Sequence, residues 1–132
     1  MLPALQTGGV ERTTVDVAQA LQRAGWVALV ASSGGPMVRE LERVGARHVT
    51  LPLASKNPLT MRANARKLAV LIREQQVDIV HARSRAPAWS ARTAARKAGA
   101  HFLTTFHGTY GHAHPPKRRY NAVMLQGEQG IA

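Results

Sequence analysis

Three short stretches of the chain carry residue types able to handle anions and sugars. Gly8-Gly9 precedes a helical pattern that opens at Val10. Glycine permits a sharp turn and close approach to main-chain N–H groups, and such groups at a helix N-terminus suit a phosphate. A plain strand-to-helix turn uses the same pair, and the spacing is neither GxGxxG nor a P-loop. Glu11, in the first turn, suits the helix dipole and repels a phosphate placed too close. His81-Ala82-Arg83-Ser84-Arg85 ends an apolar run, and strand alternation sends His81 and Arg83 to one face and Ala82 to the other. Arg83 can fork onto a phosphate or a sugar carboxylate; the bland alternative is a buried histidine beside a solvated arginine. Phe106-His107-Gly108-Thr109-Tyr110-Gly111 sets a histidine at a strand end among glycines. That histidine can donate to a sugar hydroxyl or a phosphate, or move a proton near neutral pH. A structural histidine fits the same pattern.

Other chemistries are poorly served. There is no cysteine, hence no disulfide, thiolate metal site or thiol nucleophile. His107, His112 and His114 tempt a zinc reading, but no carboxylate lies in that stretch and Pro115-Pro116 follow, so no metal is expected. No G-x-S-x-G elbow frames a serine. Basic residues dominate: 18 Lys and Arg against 7 Asp and Glu, a net +11, with eight cations and no acid from Ile79 to Gly127. Such a charge favours polyanionic partners without choosing among them. Arg62, Arg66, Lys67 and Arg73 on one helix, with Lys117, Arg118 and Arg119 on another, can touch anionic headgroups or an acidic acceptor, each contributing about 1 kcal/mol near a lipid surface.

The elements that must position these residues are legible. QRAGWVALVAS, ERVGARHVTLPL and RKAGAHFLTTFHG each run from a basic helix end through a glycine into a β-rich segment, and REQQVDIVHARS does so without glycine. Gly25, Gly45 and Gly99 are therefore placed as left-handed helix stops. Val10, Thr14, Val17 and Leu21, with Ala18, form the apolar face of a first helix; Met61, Ala65, Leu68 and Ile72 form that of a third. A fourth, APAWSARTAARKAG, carries Pro87 near its start and alanines suited to close packing on a sheet. Strands are expected at about Val27–Ala31, His48–Leu53, Ile79–Ala82 and Phe102–Phe106. Short apolar strands alternating with helices predict one α/β domain: a doubly wound, mostly parallel sheet with helices on both faces. Leu2-Pro3-Ala4-Leu5 reads as the tail of a first strand, and Ile131-Ala132 as the start of another, so the domain reads as truncated at both ends. In such sheets ligands collect at the carboxyl ends of the strands, where all three stretches fall.

TGGVERTTVDVAQALQRAGW, VDIVHARSRAPAWSA and FLTTFHGTYG, in that order, resemble the N-terminal domain of glycosyltransferase family 4, whose fold is GT-B with two Rossmann-like domains. The resemblance implies retaining transfer from a nucleotide-sugar donor to a glycan or lipid-linked acceptor of cell-envelope or lipopolysaccharide type, without a required metal or other cofactor. It makes residues 1–132 the acceptor-side domain, lacking the C-terminal domain that supplies the nucleotide pocket and the paired glutamates. The isolated chain is then expected to be inactive. By this match Gly8, Gly9 and Val10 form the donor-phosphate loop, and His107 is the catalytic histidine near the reacting centre. His81, Arg83, Ser84, Gly108 and Thr109 bind substrate, while Arg62, Arg66, Lys117, Arg118 and Arg119 contact acceptor or membrane. Where many relatives read HAH, this chain has Arg83, which sets that position apart.

The competing reading from +11 is a basic nucleic-acid-binding α/β module. No helix-turn-helix spacing, RNP motif or zinc knuckle supports it, aromatics are few, and no nucleic acid is expected as partner. A sugar-nucleotide epimerase would want GxGxxG and an acid after the second strand, where Ala31-Ser32-Ser33-Gly34 has none. No apolar run approaches the ~20 residues that span a bilayer, and the N-terminus lacks signal-peptide character. The expected location is cytoplasmic, peripheral at the inner face of the membrane if Arg62 and Lys117 engage lipid.

Overall fold

A computed structural model describes residues 1–105. Helix α1 (Gly9–Arg23) leads to β1 (Leu29–Ser32), α2 (Val38–Arg43), β2 (Arg47–Thr50), α3 (Pro58–Glu74), β3 (Ile79–Ala82), α4 (Arg85–Ala98) and β4 (His101–Thr104). The expected alternation of helix and strand is present. β1 pairs with β2 in parallel, Leu29 opposite Arg47, and β3 pairs with β4, Ile79 opposite His101.

These two ladders are joined by the first five residues. The Leu2 N–H donates to Ala31 C=O at 3.2 Å and Ser33 N–H to Pro3 C=O at 2.9 Å, which ties the segment to β1. On its other side Arg83 N–H donates to Met1 C=O at 2.8 Å, and the Met1 ammonium donates to His81 C=O at 2.6 Å. Met1–Leu5 therefore occupies the central place predicted for the stub of a first strand, with β1 and β2 on one side and β3 and β4 on the other. Pro3 is tolerated there because it supplies only its carbonyl.

Each face of this composite sheet has its own core. Leu2 and Leu5, both fully buried, pack with Val15, Ala18, Val30 and Leu41 under α1 and α2. Ala31, Leu53, Val80, Ala82 and Phe102 pack under α3 and α4. Helices thus cover both faces, as a doubly wound sheet requires. The α3 stripe forms largely as its spacing predicts, with Ala65, Leu68, Ala69 and Ile72 buried and Arg62, Arg66 and Arg73 outside. On α4, Ala88, Ala91, Ala94 and Ala95 are at most 1% exposed. They let the helix approach both the sheet and α3, where Ser90 Oγ donates to Met61 C=O at 2.9 Å. Packing on a neighbouring helix goes beyond the sheet contact expected for those alanines.

Gly25, Gly45 and Gly99 all take positive φ, as their positions past helix ends predict, and the turn without glycine is closed by Gln76 at φ 50. Several expectations differ. The second expected strand ends at Thr50 rather than Leu53, and the last runs His101–Thr104 rather than from Phe102 to Phe106. The first strand run begins at Leu29 rather than Val27, because the β2 ladder starts at Ala28 C=O. Val17 and Leu21, expected in the buried face of α1, are 40% and 36% exposed; Thr14, Val15 and Ala18 carry that face instead. Val17 and Leu21 line a cavity between β1 and β3.

Candidate functional site: the carboxyl rim of the sheet

Parallel strands send all their carboxyl ends to one edge, and the register of Met1–Leu5 against β1 and β3 sets three loops side by side there. The chain leaves the central segment toward Gly8, leaves β1 through Ser33-Gly34-Gly35, and leaves β3 through Arg83-Ser84 into α4. Thr105, the last described residue, follows β4 on the same rim and donates its N–H to Ala82 C=O at 3.1 Å. Two of the three stretches singled out in the sequence are thus neighbours. His107, Gly108 and Thr109 of the third lie outside the described residues, as do Lys117, Arg118 and Arg119.

Gly8 is the N-cap of α1, with φ −174 and ψ 171, an extended backbone open to any residue, and α1 has no side-chain cap. The sharp turn that glycine would permit is therefore not used there. A Cβ on Gly8 would stand 2.4 Å from Glu11 Oε2, whereas nothing lies within 4 Å of one on Gly9. The Glu11 carboxylate is thus folded over the start of its own helix, where the dipole favours it. Any anion approaching this helix start must displace that side chain before it meets the N–H groups of Gly9 and Val10.

Ser84 caps α4 with an extended backbone (φ −164) and likewise makes no side-chain cap bond. The first turn of α4 carries no acid. Two helix N-termini thus open on the rim without side-chain caps. Just ahead of Ser84 comes Arg83, which lines a cavity between β1 and β3 with Met1 and His81; it is only 8% exposed, its Nε without a hydrogen-bond partner and no carboxylate paired to it among the described residues. Burial lowers the pKa of the guanidinium below its ordinary value. A buried cation held without a counter-charge attracts an anion strongly, so Arg83 is not the solvated loop residue of the bland reading. His81, half-buried on the same sheet face, shares a 2.6 Å hydrogen bond between Nε2 and Thr105 Oγ1. The pair clasps the ends of β3 and β4 together.

Two contributors to the rim escaped sequence reasoning. Gly35 has φ +144, and a Cβ there would fall 2.2 Å from Leu5 C=O; only glycine lets the β1–α2 loop press against the central segment. The doublet Gly34-Gly35 after a strand was the available signal. Ser32, fully buried, shares a 2.8 Å hydrogen bond with His48 Nε2 and accepts from Gly34 N–H at 3.0 Å. Burial lowers the His48 pKa. The pair fastens β1, β2 and the glycine turn, a structural bond rather than an exposed nucleophile.

With this geometry in view, comparison with known proteins is decisive. The model of Glycosyltransferase Family 4 matches residues 7–131. The chain belongs to Glycosyltransferase Family 4. A solved structure of a glycosyltransferase from Rickettsia africae ESF-5 is 41% identical, with a TM-score of 0.81, over 98% of this chain and 35% of that one. This family 4 chain therefore spans about a third of the solved relative. Among curated proteins nothing matches.

On the family 4 domain the basic face of α3 is separate from the rim loops in sequence and unshared with the core. Arg62, Arg66, Lys67 and Arg73 are exposed along it, interleaved with Leu59 at 79% and Val70 at 50% exposure. No described helix is long and apolar enough to cross a membrane.

Proposed function

We propose that this chain is the acceptor-side domain of a retaining, metal-independent glycosyltransferase that moves a sugar from a nucleotide-sugar to a glycan or lipid-linked acceptor of the cell envelope. The observation that carries the reading is the 41% identity, across nearly the whole chain, to a glycosyltransferase three times its length. The rim suits it chemically. Main-chain N–H groups at Gly9 and Val10 face the leaving diphosphate, whose charge grows in the transition state and is best met by donors already in place. Arg83 and Ser84, with His81 beside them, hold acceptor or sugar oxygens. His107 is assigned the catalytic role, and Gly108 and Thr109 substrate binding. On this reading the donor nucleotide is held by a second α/β domain, and the 132 residues alone transfer nothing. Arg62 and Arg66, with Leu59 and Val70 exposed on the same helix, rest on an anionic membrane surface on the cytoplasmic side, and the Lys117–Arg119 run is assigned the same role.

The test is transfer from a panel of labelled nucleotide-sugars, by the isolated chain and by a form that continues into a second α/β domain. Product is expected only from the longer form, and His107→Ala in that form lowers the rate by about 100-fold or more. Turnover by the isolated chain overturns its predicted inactivity; no transfer by the longer form with any donor overturns the function itself.

A further inference from the structure

The bond between Ser32 and His48 has a direction, and the direction has a consequence. In the β1–β2 register His48 stands opposite Val30, so its ring and the Ser32 side chain lie on one face of the ladder. Ser32 is fully buried, and its oxygen has two partners among the described residues. Gly34 N–H donates to it at 3.0 Å, and His48 Nε2 lies 2.8 Å away. A hydroxyl has one hydrogen to give, and the imidazole nitrogen is the acceptor within reach. Neutral His48 therefore receives that hydrogen bond at Nε2 and carries its own hydrogen on Nδ1. A further proton can enter only at Nε2, the atom already engaged.

Acid then acts on a turn of the carboxyl rim. With Nε2–H donating to Ser32 Oγ and Gly34 N–H filling the second lone pair, the hydroxyl hydrogen is left without an acceptor in a buried place. The turn that Ser32 organises bears the cost. Gly34 C=O accepts from Leu5 N–H at 2.8 Å, and Ser33 N–H donates to Pro3 C=O at 2.9 Å. Ser33 Oγ donates to Leu51 C=O and accepts from Ala54 N–H, each at 3.2 Å. One short turn thus ties the central segment to the loop between β2 and α3.

We infer that Ser32 and His48 form a proton-operated clasp: the neutral imidazole holds the Ser32–Gly35 turn against Leu5, and protonation at Nε2 releases it. The surroundings leave control with His48. β2 packs against β1 and α2, and β1 carries no titratable side chain. On α2 stand Arg39, Glu40, Glu42 and Arg43; Glu40 is taken up by Arg12, and Glu42 is the charge that acts on the ring. Arg47, beside it on β2, reaches Gln75 Oε1. Burial lowers the His48 pKa more than Glu42 raises it. The clasp is therefore closed at pH 7 and opens as pH falls below 6.5, the ordinary histidine value.

Amide exchange across a pH series tests this in the 132-residue chain, acetylated at Met1 in every sample so that the enclosed amine does not titrate. From pH 8 to 4.5, protection at the Leu5 and Gly34 amides should fall by about tenfold. The midpoint should coincide with the His48 ring titration followed by NMR. The Val77 amide, which donates to Ile72 C=O past the end of α3, should keep its protection. His48→Gln offers Ser32 an amide oxygen that does not titrate, and should hold Leu5 and Gly34 protected throughout. An equal fall at Val77, the same fall in His48→Gln, a midpoint apart from that of His48, no fall at all, or a ring hydrogen on Nε2 at pH 8 would each overturn the clasp. Sugar transfer is not read, so the outcome is independent of the proposed activity.

Discussion

In the 132-residue chain, an amine enclosed at Met1 makes stability depend on pH. The Met1 ammonium is pushed down from 8.0 to about 5, first by burial and then by the nearby Arg83 cation. Between pH 5 and 8 the unfolded chain binds a proton at this amine that the folded chain does not, so stability climbs with pH across that window. Above pH 8 neither state is charged there and the gain is complete; below pH 5 both are protonated and the penalty is felt in full. The interval corresponds to about 4 kcal/mol, and water entering beside the amine relieves part of it, leaving about 2–4 kcal/mol. Urea unfolding from pH 5 to 8.5 should show this rise in the chain with a free amine. The same chain acetylated at Met1 should lack it, since the acetyl group enters the cavity that Met1 lines and the amide N–H still reaches His81 C=O. His48, whose pKa burial also lowers, adds stability in the same direction in both samples and cancels in the difference. Parallel curves for the two samples would refute the enclosed charge.

Two substitutions probe the frame around the rim. Gly35→Ala should destabilise by about 2 kcal/mol or more, because φ +144 and a Cβ at 2.2 Å from Leu5 C=O offer alanine no relaxed position; an unchanged urea midpoint would contradict that contact. Ala94→Leu places a large side chain where α4 has no exposed surface at all, at a cost of about 1–3 kcal/mol, whereas the same change at exposed Thr93 should be near neutral. Equal effects at both positions would show that the alanine stripe is not tightly packed.

Sequence periodicity sufficed where one residue type has one physical use. Helix-ending glycines such as Gly99, the α3 stripe through Leu68 and Ile72, and the β3 run Ile79–Ala82 could be read directly, since each depends on local geometry alone. Family membership was likewise legible in three ordered motifs. What escaped was set by contacts distant in sequence. The doublet Gly34-Gly35 signals a turn, but only the fold shows that Gly35 is forced against Leu5 while Gly8 sits in ordinary extended backbone. Gln76 enters the left-handed region with no glycine to announce it. Val17 and Leu21 obey the helical period yet stay partly exposed, because they line the cavity between β1 and β3 instead of packing against the sheet. Arg83 resembles a surface loop cation in sequence and is buried by its neighbours in space.

The fastening of α3 to α4 has a mechanical consequence. Ser90 holds Met61 near one end of the pair, and Arg73 Nη2 reaches Lys97 C=O near the other. Two rods pinned at both ends cannot swing independently. Whatever grips the outer side of α3 therefore also loads α4, the helix that follows Arg83 and Ser84 in the chain.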